Sequence, residues 1–409
     1  MEHTIVKVED YEQYVGAESI ERILNKAKFL QDLHVVNFNS TYYGGGVAEM
    51  LSSLTLLMNG LGIKTEWRVI QGTPDFFNIT KKMHNALQGG EINLSEMKMH
   101  IYEEVIYENA FRNHLDHNLV ILHDPQPLPM INHYKKRSPW IWRCHIDLSS
   151  PHAETWNYLL PFIEKYDAAV LSCKEYAQKM NTPQFFFKPA ITPFNIKNRE
   201  LSETEVDERL AHYDIPTDLP LVVQISRFDP WKDPQGVVDA FKIAQKEVDC
   251  TLVLLGNFAT DDPEGAEIYE SLLDSREERV LVLPYGDDTA LVNSLQRRAA
   301  VVLQKSIREG FGLTVSEAMW KGTPVIGGNV GGIRYQIEDG ENGFLVSSVE
   351  EAAQRIVQLV KDEKLRRRLG KNARETVRQK FLMTRYLEQY LDLFSSFETV
   401  FRINNHPQF

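Results

Sequence analysis

REGFGLTVSEAMWKGTPVIGGNVGG, residues 308–332, is the stretch whose reading decides the fold. The apolar run Ala299–Leu303 stands just before it and reads as a buried parallel strand. Phe311–Lys321 follows as an apolar-periodic helix that stops at Gly322. Pro324–Ile326 reads as the next strand, and Gly327–Gly332 as a glycine-rich loop. Strand, glycine turn, helix, strand, glycine turn is how an α/β protein builds an edge for a ligand. Gly310 and Gly312 let the backbone approach a ligand where a helix begins, and the N–H groups and dipole there favour an anion or a hydroxyl-rich group. Glu309 and Glu317 bracket the turn with seven residues between them. They face different parts of one extended ligand, one part sugar-like and one ribose-like. Either carboxylate alone is ordinarily a solvated surface residue; the pair inside this glycine frame points to function.

The totals bound the rest. A chain of 409 residues exceeds one ordinary core, so two domains are expected. A net charge of −12 argues against a general nucleic-acid binder, yet leaves room for a nucleotide held by a local pair of cations. Cys144, Cys173 and Cys250 lie far apart with no CxxC pair. They suggest neither a disulfide framework nor a zinc site, and fit small buried hydrophobes in a reduced cytoplasm. The opening MEHTIVKVEDYEQY lacks the apolar core of a signal peptide, and no apolar run reaches membrane-spanning length.

Working outward, strands and helices alternate. Leu33–Phe38, Lys64–Ile70, Asn118–His123, Trp140–Cys144, Ala168–Ser172 and Gln184–Lys188 read as the strands of a first parallel series. The first of these is followed by Asn39–Gly46, whose three glycines (Gly44, Gly45, Gly46) suggest a backbone nest for a phosphate or sugar ahead of a helix from Val47 to about Asn59. A plain tight turn would use the same residues, and neither a GxGxxG nor a Walker A pattern is present. His123 and His145 fall at or just beyond the carboxyl ends of predicted strands, where such sheets bind ligands. Asn198–Leu219 is polar and reads as a linker. A second series then begins with Leu221–Ser226 and continues through Leu252–Leu255, Val280–Leu283, Val301–Leu303, Pro324–Ile326 and Phe344–Val346. Helices Glu350–Val360, Glu363–Phe381 and Met383–Phe394 close the chain.

Arg227 and Lys232 flank a turn directly after the first strand of the second series. A diphosphate leaving group needs positive charge where negative charge develops; Arg offers a bidentate fork and Lys a mobile point charge. No DxD-type metal motif stands out, so these cations could do the work of a Mg²⁺. Asp229 and Asp233 could instead simply neutralise them.

Taken together, REGFGLTVSEAMWKGTPVIGGNVGGI at 308–333 and SRFDPWKDP at 226–234 resemble the retaining GT-B glycosyltransferases of family 4, and the Glu-x7-Glu pattern is matched by Glu309 and Glu317. NSTYYGGGVAEML at 39–51 and WRCHIDLSSP at 142–151 look like the trehalose glycosyltransferring synthases. The resemblance implies two Rossmann-like domains with parallel sheets facing across a cleft. The first would span 1–215, completed by a returning helix at about 382–409 whose aromatic face is Phe381, Tyr386, Tyr390 and Phe394; the second would span 216–381. It implies a donor such as UDP- or ADP-glucose, free glucose as acceptor, and trehalose made with retention. Glu309 would bind the donor sugar and Glu317 the ribose. Gly310, Phe311, Gly312 and Leu313 would hold sugar and diphosphate through backbone N–H groups, Arg227 and Lys232 the diphosphate, and Gly45 and Gly46 would approach the phosphate. His145 would sit near the reacting carbon and Asp147 on the acceptor side. No metal site and no cofactor are expected, apart from a Mg²⁺ travelling with the diphosphate. The expected partners are the two sugars, with a homodimer allowed and neither nucleic acid nor membrane. Rival readings are a trehalose phosphorylase using α-glucose 1-phosphate, a family 4 transferase with another acceptor, and a non-catalytic sugar-nucleotide sensor.

Overall fold

A computed structural model of the chain describes residues 5–43, 45–257, 264–274 and 278–397. Gly44 of the glycine triplet and the tail beyond residue 397 lie outside the described residues. The chain forms two compact units, Met1–Ala190 with Met383–Phe409, and Ile191–Leu382.

The first unit is built on β1 (His34–Asn39), β2 (Lys64–Val69), β3 (Leu119–His123), β4 (Trp140–Arg143), β5 (Ala168–Leu171) and β6 (Gln184–Phe186). The second is built on β7 (Leu221–Ile225), β8 (Thr251–Leu255), β9 (Val280–Leu283), β10 (Val301–Gln304), β11 (Val325–Gly328) and β12 (Phe344–Val346). Every strand expected from the sequence is present, with ends moved by a residue or two. Sequences such as LVILH in β3 and TLVLL in β8 are buried along their whole length. That is the pattern of a parallel strand covered by helices on both faces.

Strand order is β2-β1-β3-β4-β5-β6 in one sheet and β12-β11-β10-β7-β8-β9 in the other, and the pairings are parallel. In each sheet the chain runs outward to one side and then crosses back to the other. The reversal falls between β1 and β3 in the first unit and between β7 and β10 in the second. Ligands of open α/β sheets bind outside the carboxyl ends of strands at such a reversal.

Two expectations are corrected. The stretch read as a linker contains helix Glu203–His212, which opens with a capping box between Ser202 and Glu205. It belongs to the second unit, where Arg298 pairs with Glu203 at 3.2 Å; the chain divides after Ala190, not after 215. In addition, Phe381 does not join the aromatic face of the last helix. Its ring packs edge-on against Phe311 at 5.7 Å, within the second unit.

Helix Met383–Ser396 does return to the first unit, burying Tyr386, Tyr390 and Phe394. Glu388 meets Arg22 and Lys26 at 2.6 and 2.9 Å. Beneath it lies Arg143, fully buried at the end of β4. Its guanidinium donates to the carbonyls of Cys144, Val170 and Phe187 at 3.0 Å each, to Ser172 Oγ at 3.4 Å and to Tyr386 Oη at 3.3 Å. Among the described residues no helix is long and apolar enough to cross a membrane.

Removing one member of a buried, charge-assisted network strands its partners. Arg143→Met should therefore destabilise the first unit by about 3–5 kcal/mol, and Tyr386→Phe by about 1 kcal/mol. Chemical denaturation followed by tryptophan fluorescence checks both values.

Candidate active site

The second unit assembles its site at the β7/β10 reversal. The loop after β7 is shaped by Asp229, which caps the turn through Trp231 N–H at 2.8 Å, and by Asp233, whose left-handed backbone (φ 51°) lets its carboxylate cap helix Pro234–Ala244 at Gly236 N–H, 3.1 Å away. That shape presents Lys232 to the loop after β10. Lys232 Nζ lies 2.6 Å from Glu309 Oε2, and both side chains are largely buried. Ser306 Oγ and Gln304 Nε2 reach the same oxygen at 3.1 and 3.3 Å. Gln224, inside β7, secures the Lys232 carbonyl at 2.8 Å. Arg227 leans on Asp229 at 3.3 Å, and Lys305 pairs with Asp233. The suggestion that Asp229 and Asp233 neutralise the two cations thus holds for Arg227 alone.

The glycine turn is braced from behind. Gly312 takes φ 80° and directly precedes helix Leu313–Trp320. Gly332 N–H donates to the Glu309 carbonyl at 3.1 Å, and a Cβ on Gly332 would run into the backbone of Gly310 and Phe311. Buried Gln336 donates to the Phe311 carbonyl at 2.5 Å. Glu317 is elsewhere: it is 1% exposed and its Oε1 lies 3.0 Å from Lys197 Nζ. Glu309 and Lys232 are therefore brought together, while Glu317 has its own cation.

In the first unit, Gly45 (φ 80°) and Gly46 open helix Gly45–Gly60 just past β1. His145 follows β4, its N–H donating to Asp124 Oδ1 at 2.7 Å. Asp147 is buried and accepts from Ser149 N–H at 2.9 Å. The His145 ring stacks on His123 at 5.3 Å, with Nε2 3.0 Å from His123 Nδ1. His123 Nε2 in turn lies 3.0 Å from Asn37 Oδ1. A carbonyl oxygen only accepts, so His123 carries its proton on Nε2 and presents a bare Nδ1 to His145 Nε2–H. This leaves His145 Nδ1 as a lone pair; that atom and Asn37 Nδ2 are buried without a hydrogen-bond partner. Burial, with the Arg143 charge second, pushes His123 down to about 3. Burial, then Arg143, then His123 hold His145 well below the usual histidine range. Burial raises Asp124 to about 6.

Reasoning from sequence passed over Asn37, Gln304, Ser306, Lys197 and Gln336. The one signal available for Asn37, Gln304 and Ser306 was their place in or just beyond the last part of a predicted strand; nothing pointed to Lys197 or Gln336.

Residues 37–178 match the family described as trehalose synthase, N-terminal domain, and residues 206–376 match glycosyl transferases group 1. The trehalose synthase of Thermococcus litoralis is 45% identical over 400 residues, covering 96% of this chain and 97% of its own. The trehalose phosphorylase of Pleurotus pulmonarius is 28% identical, over 92% of this chain and 59% of its own. Among solved structures, the sucrose-phosphate synthase of Thermosynechococcus elongatus aligns with a TM-score of 0.71 at 18% identity, over 90% of this chain and 99% of that one. The Anabaena protein HepE in complex with UDP and glucose aligns at 0.68 and 18% identity, over 89% of this chain and 100% of that one. The two parallel sheets and these matches define the class: the protein is a glycosyltransferase of the GT-B fold. Within that class the chain belongs to the trehalose synthase family.

The histidine chain has a direct spectroscopic consequence. Both imidazoles have pKa values depressed in the folded state, so neither takes a proton as pH falls through the ordinary histidine range. Ring ¹⁵N shifts between about pH 5 and 8 should report His123 and His145 as neutral Nε2–H tautomers throughout. An imidazolium signal growing in near pH 6.5 would contradict the assignment.

Proposed function

We propose that the protein transfers glucose from a nucleoside diphosphate glucose, UDP- or ADP-glucose, to free glucose, and makes trehalose with retention at the donor carbon. The observation that carries the donor reading is the buried Lys232–Glu309 pair at a glycine turn. It sets a cation for phosphate beside a carboxylate for sugar hydroxyls, on the loops that follow the two strands flanking the sheet reversal. The family match supports the product.

In this reading the C1–phosphate bond breaks and the bond from C1 to the acceptor oxygen forms on the same face. The acceptor hydroxyl proton passes to the departing phosphate oxygen, and nucleoside diphosphate leaves. Lys232 and Arg227 stabilise charge on the diphosphate, and the backbone of Gly310–Leu313 lies along sugar and phosphate. Glu309 fixes the sugar hydroxyls. Bare His145 Nδ1 accepts from a sugar hydroxyl, Gly45 and Gly46 approach the phosphate, and Asp147 serves the acceptor. Chemistry of this kind rests on positioning and charge, with no covalent intermediate. The three free cysteines, all buried, fit a reducing cytoplasm.

One observation favours the phosphorylase reading. Glu317, the residue expected to hold ribose, is buried against Lys197, and α-glucose 1-phosphate has no ribose.

Glucose incubated with UDP-glucose or ADP-glucose should yield trehalose and nucleoside diphosphate, whereas glucose with α-glucose 1-phosphate should yield none. The reverse pattern would make the protein a phosphorylase. Lys232→Ala and Glu309→Gln should each lower kcat/KM for the nucleotide sugar by about 10²–10³-fold, as loss of one preorganised electrostatic partner does. Steady-state kinetics on folded variants decides; a loss below about threefold in both would place the pair outside the site.

A further inference from the structure

The first unit holds a second polar cluster, at the starting ends of its strands and so at the opposite edge from His123 and His145. His34 opens β1, Glu66 lies in β2, and His117 stands just ahead of β3. Because β1 pairs with both β2 and β3, the sheet gathers these three residues although the sequence scatters them. Glu66 Oε1 is 2.8 Å from His34 Nε2 and 3.4 Å from His117 Nε2. One ligand atom from each residue lies within 4.8 Å of the other two.

His117 is the unexplained member. Its side chain is 4% exposed, and neither ring nitrogen has a hydrogen-bond partner. A polar group stranded in this way costs about 1–3 kcal/mol. Nε2 aims at the Glu66 carboxylate but stands too far away for a good hydrogen bond. A cation shared by the three side chains would give Nε2 the partner it lacks.

Arg68 occupies the other Glu66 oxygen, Oε2, at 2.6 and 2.9 Å, which orients the carboxylate and leaves Oε1 turned to the two rings. Metal-bound carboxylates are held by outer hydrogen bonds of this kind. A neutral imidazole and an ionised carboxylate are the forms a metal takes up.

We propose that His34, Glu66 and His117 form a Zn²⁺ site. Two imidazoles and a carboxylate, with water as fourth ligand, make a tetrahedral zinc set. Ligand atoms bound at zinc distances stand roughly 3.4 Å apart, close to the 2.8 and 3.4 Å found. The side chains of His34 and Glu66 are 41% and 37% exposed, which gives the ion and its water a path. The ion would clamp β1 to β2 and to the segment entering β3, a structural role apart from the transfer chemistry.

The test uses the full chain stripped with a chelator, then titrated with Zn²⁺ by calorimetry, with metal content measured after dialysis. One equivalent per chain at micromolar affinity or tighter is expected, with a higher melting temperature, tetrahedral visible bands when Co²⁺ replaces zinc, and unchanged transferase activity. His117→Ala and, should that variant fold poorly, the more exposed His34→Ala should weaken binding at least tenfold. Absence of stoichiometric binding, or binding that survives both substitutions, overturns the proposal.

Discussion

A parallel sheet that reverses its strand order leaves neighbouring strands whose following loops diverge, and the side chains at their carboxyl ends face the gap. That constraint organises both units. In the second it brings Lys232 and Glu309, 77 residues apart, to 2.6 Å. In the first it brings Asn37 and His123, 86 residues apart, to 3.0 Å. A largely buried ion pair is a weak source of stability, because desolvation of both charges offsets their attraction. On the proposed function, Lys232–Glu309 is a pair held ready for exchange. On the proposed reading, each charge satisfies the other until a ligand bearing both phosphate and hydroxyls replaces the two contacts together.

Arg143 links packing to site chemistry in the first unit. Its hydrogen bonds join β4, β5, the residue after β6 and the returning helix, so its position is fixed from several sides. The same charge helps keep His123 and His145 neutral. Neutrality together with the Asn37 carbonyl makes the chain Asn37–His123–His145 directional: each ring N–H has one acceptor, and the lone pair left over appears on His145. One buried cation therefore anchors the last helix and helps keep a hydrogen-bonded chain neutral.

The strands were legible because a strand covered on both faces must be apolar throughout, and runs such as LVVQI and TLVLL are hard to read otherwise. Helix Glu203–His212 was not, since only Val206 and Leu210 are buried on it. Its capping box, Ser202 with Glu205, was visible in the sequence and outweighed by the surrounding polarity. Glu309 could be picked out because its glycine frame is local. Gln304 and Ser306 could not, because their role depends on how the strand end turns toward Glu309. His34, Glu66 and His117 were invisible for a stronger reason: only the order β2-β1-β3 makes them neighbours.

The two acids of the 308–332 stretch show how far a motif reaches. With seven residues between them, they occupy different environments, because Glu309 lies in the turn and Glu317 lies on the buried side of helix Leu313–Trp320. Lys197 reaches Glu317 from 120 residues away, and nothing in the local pattern foretells it. On the proposed reading, a ribose that bonds Glu317 shares its carboxylate with that lysine, whereas a donor lacking ribose leaves the pair as it is. Discrimination between a nucleotide sugar and a sugar phosphate then comes down to whether ribose hydroxyls can bond a carboxylate that already holds a lysine on one oxygen.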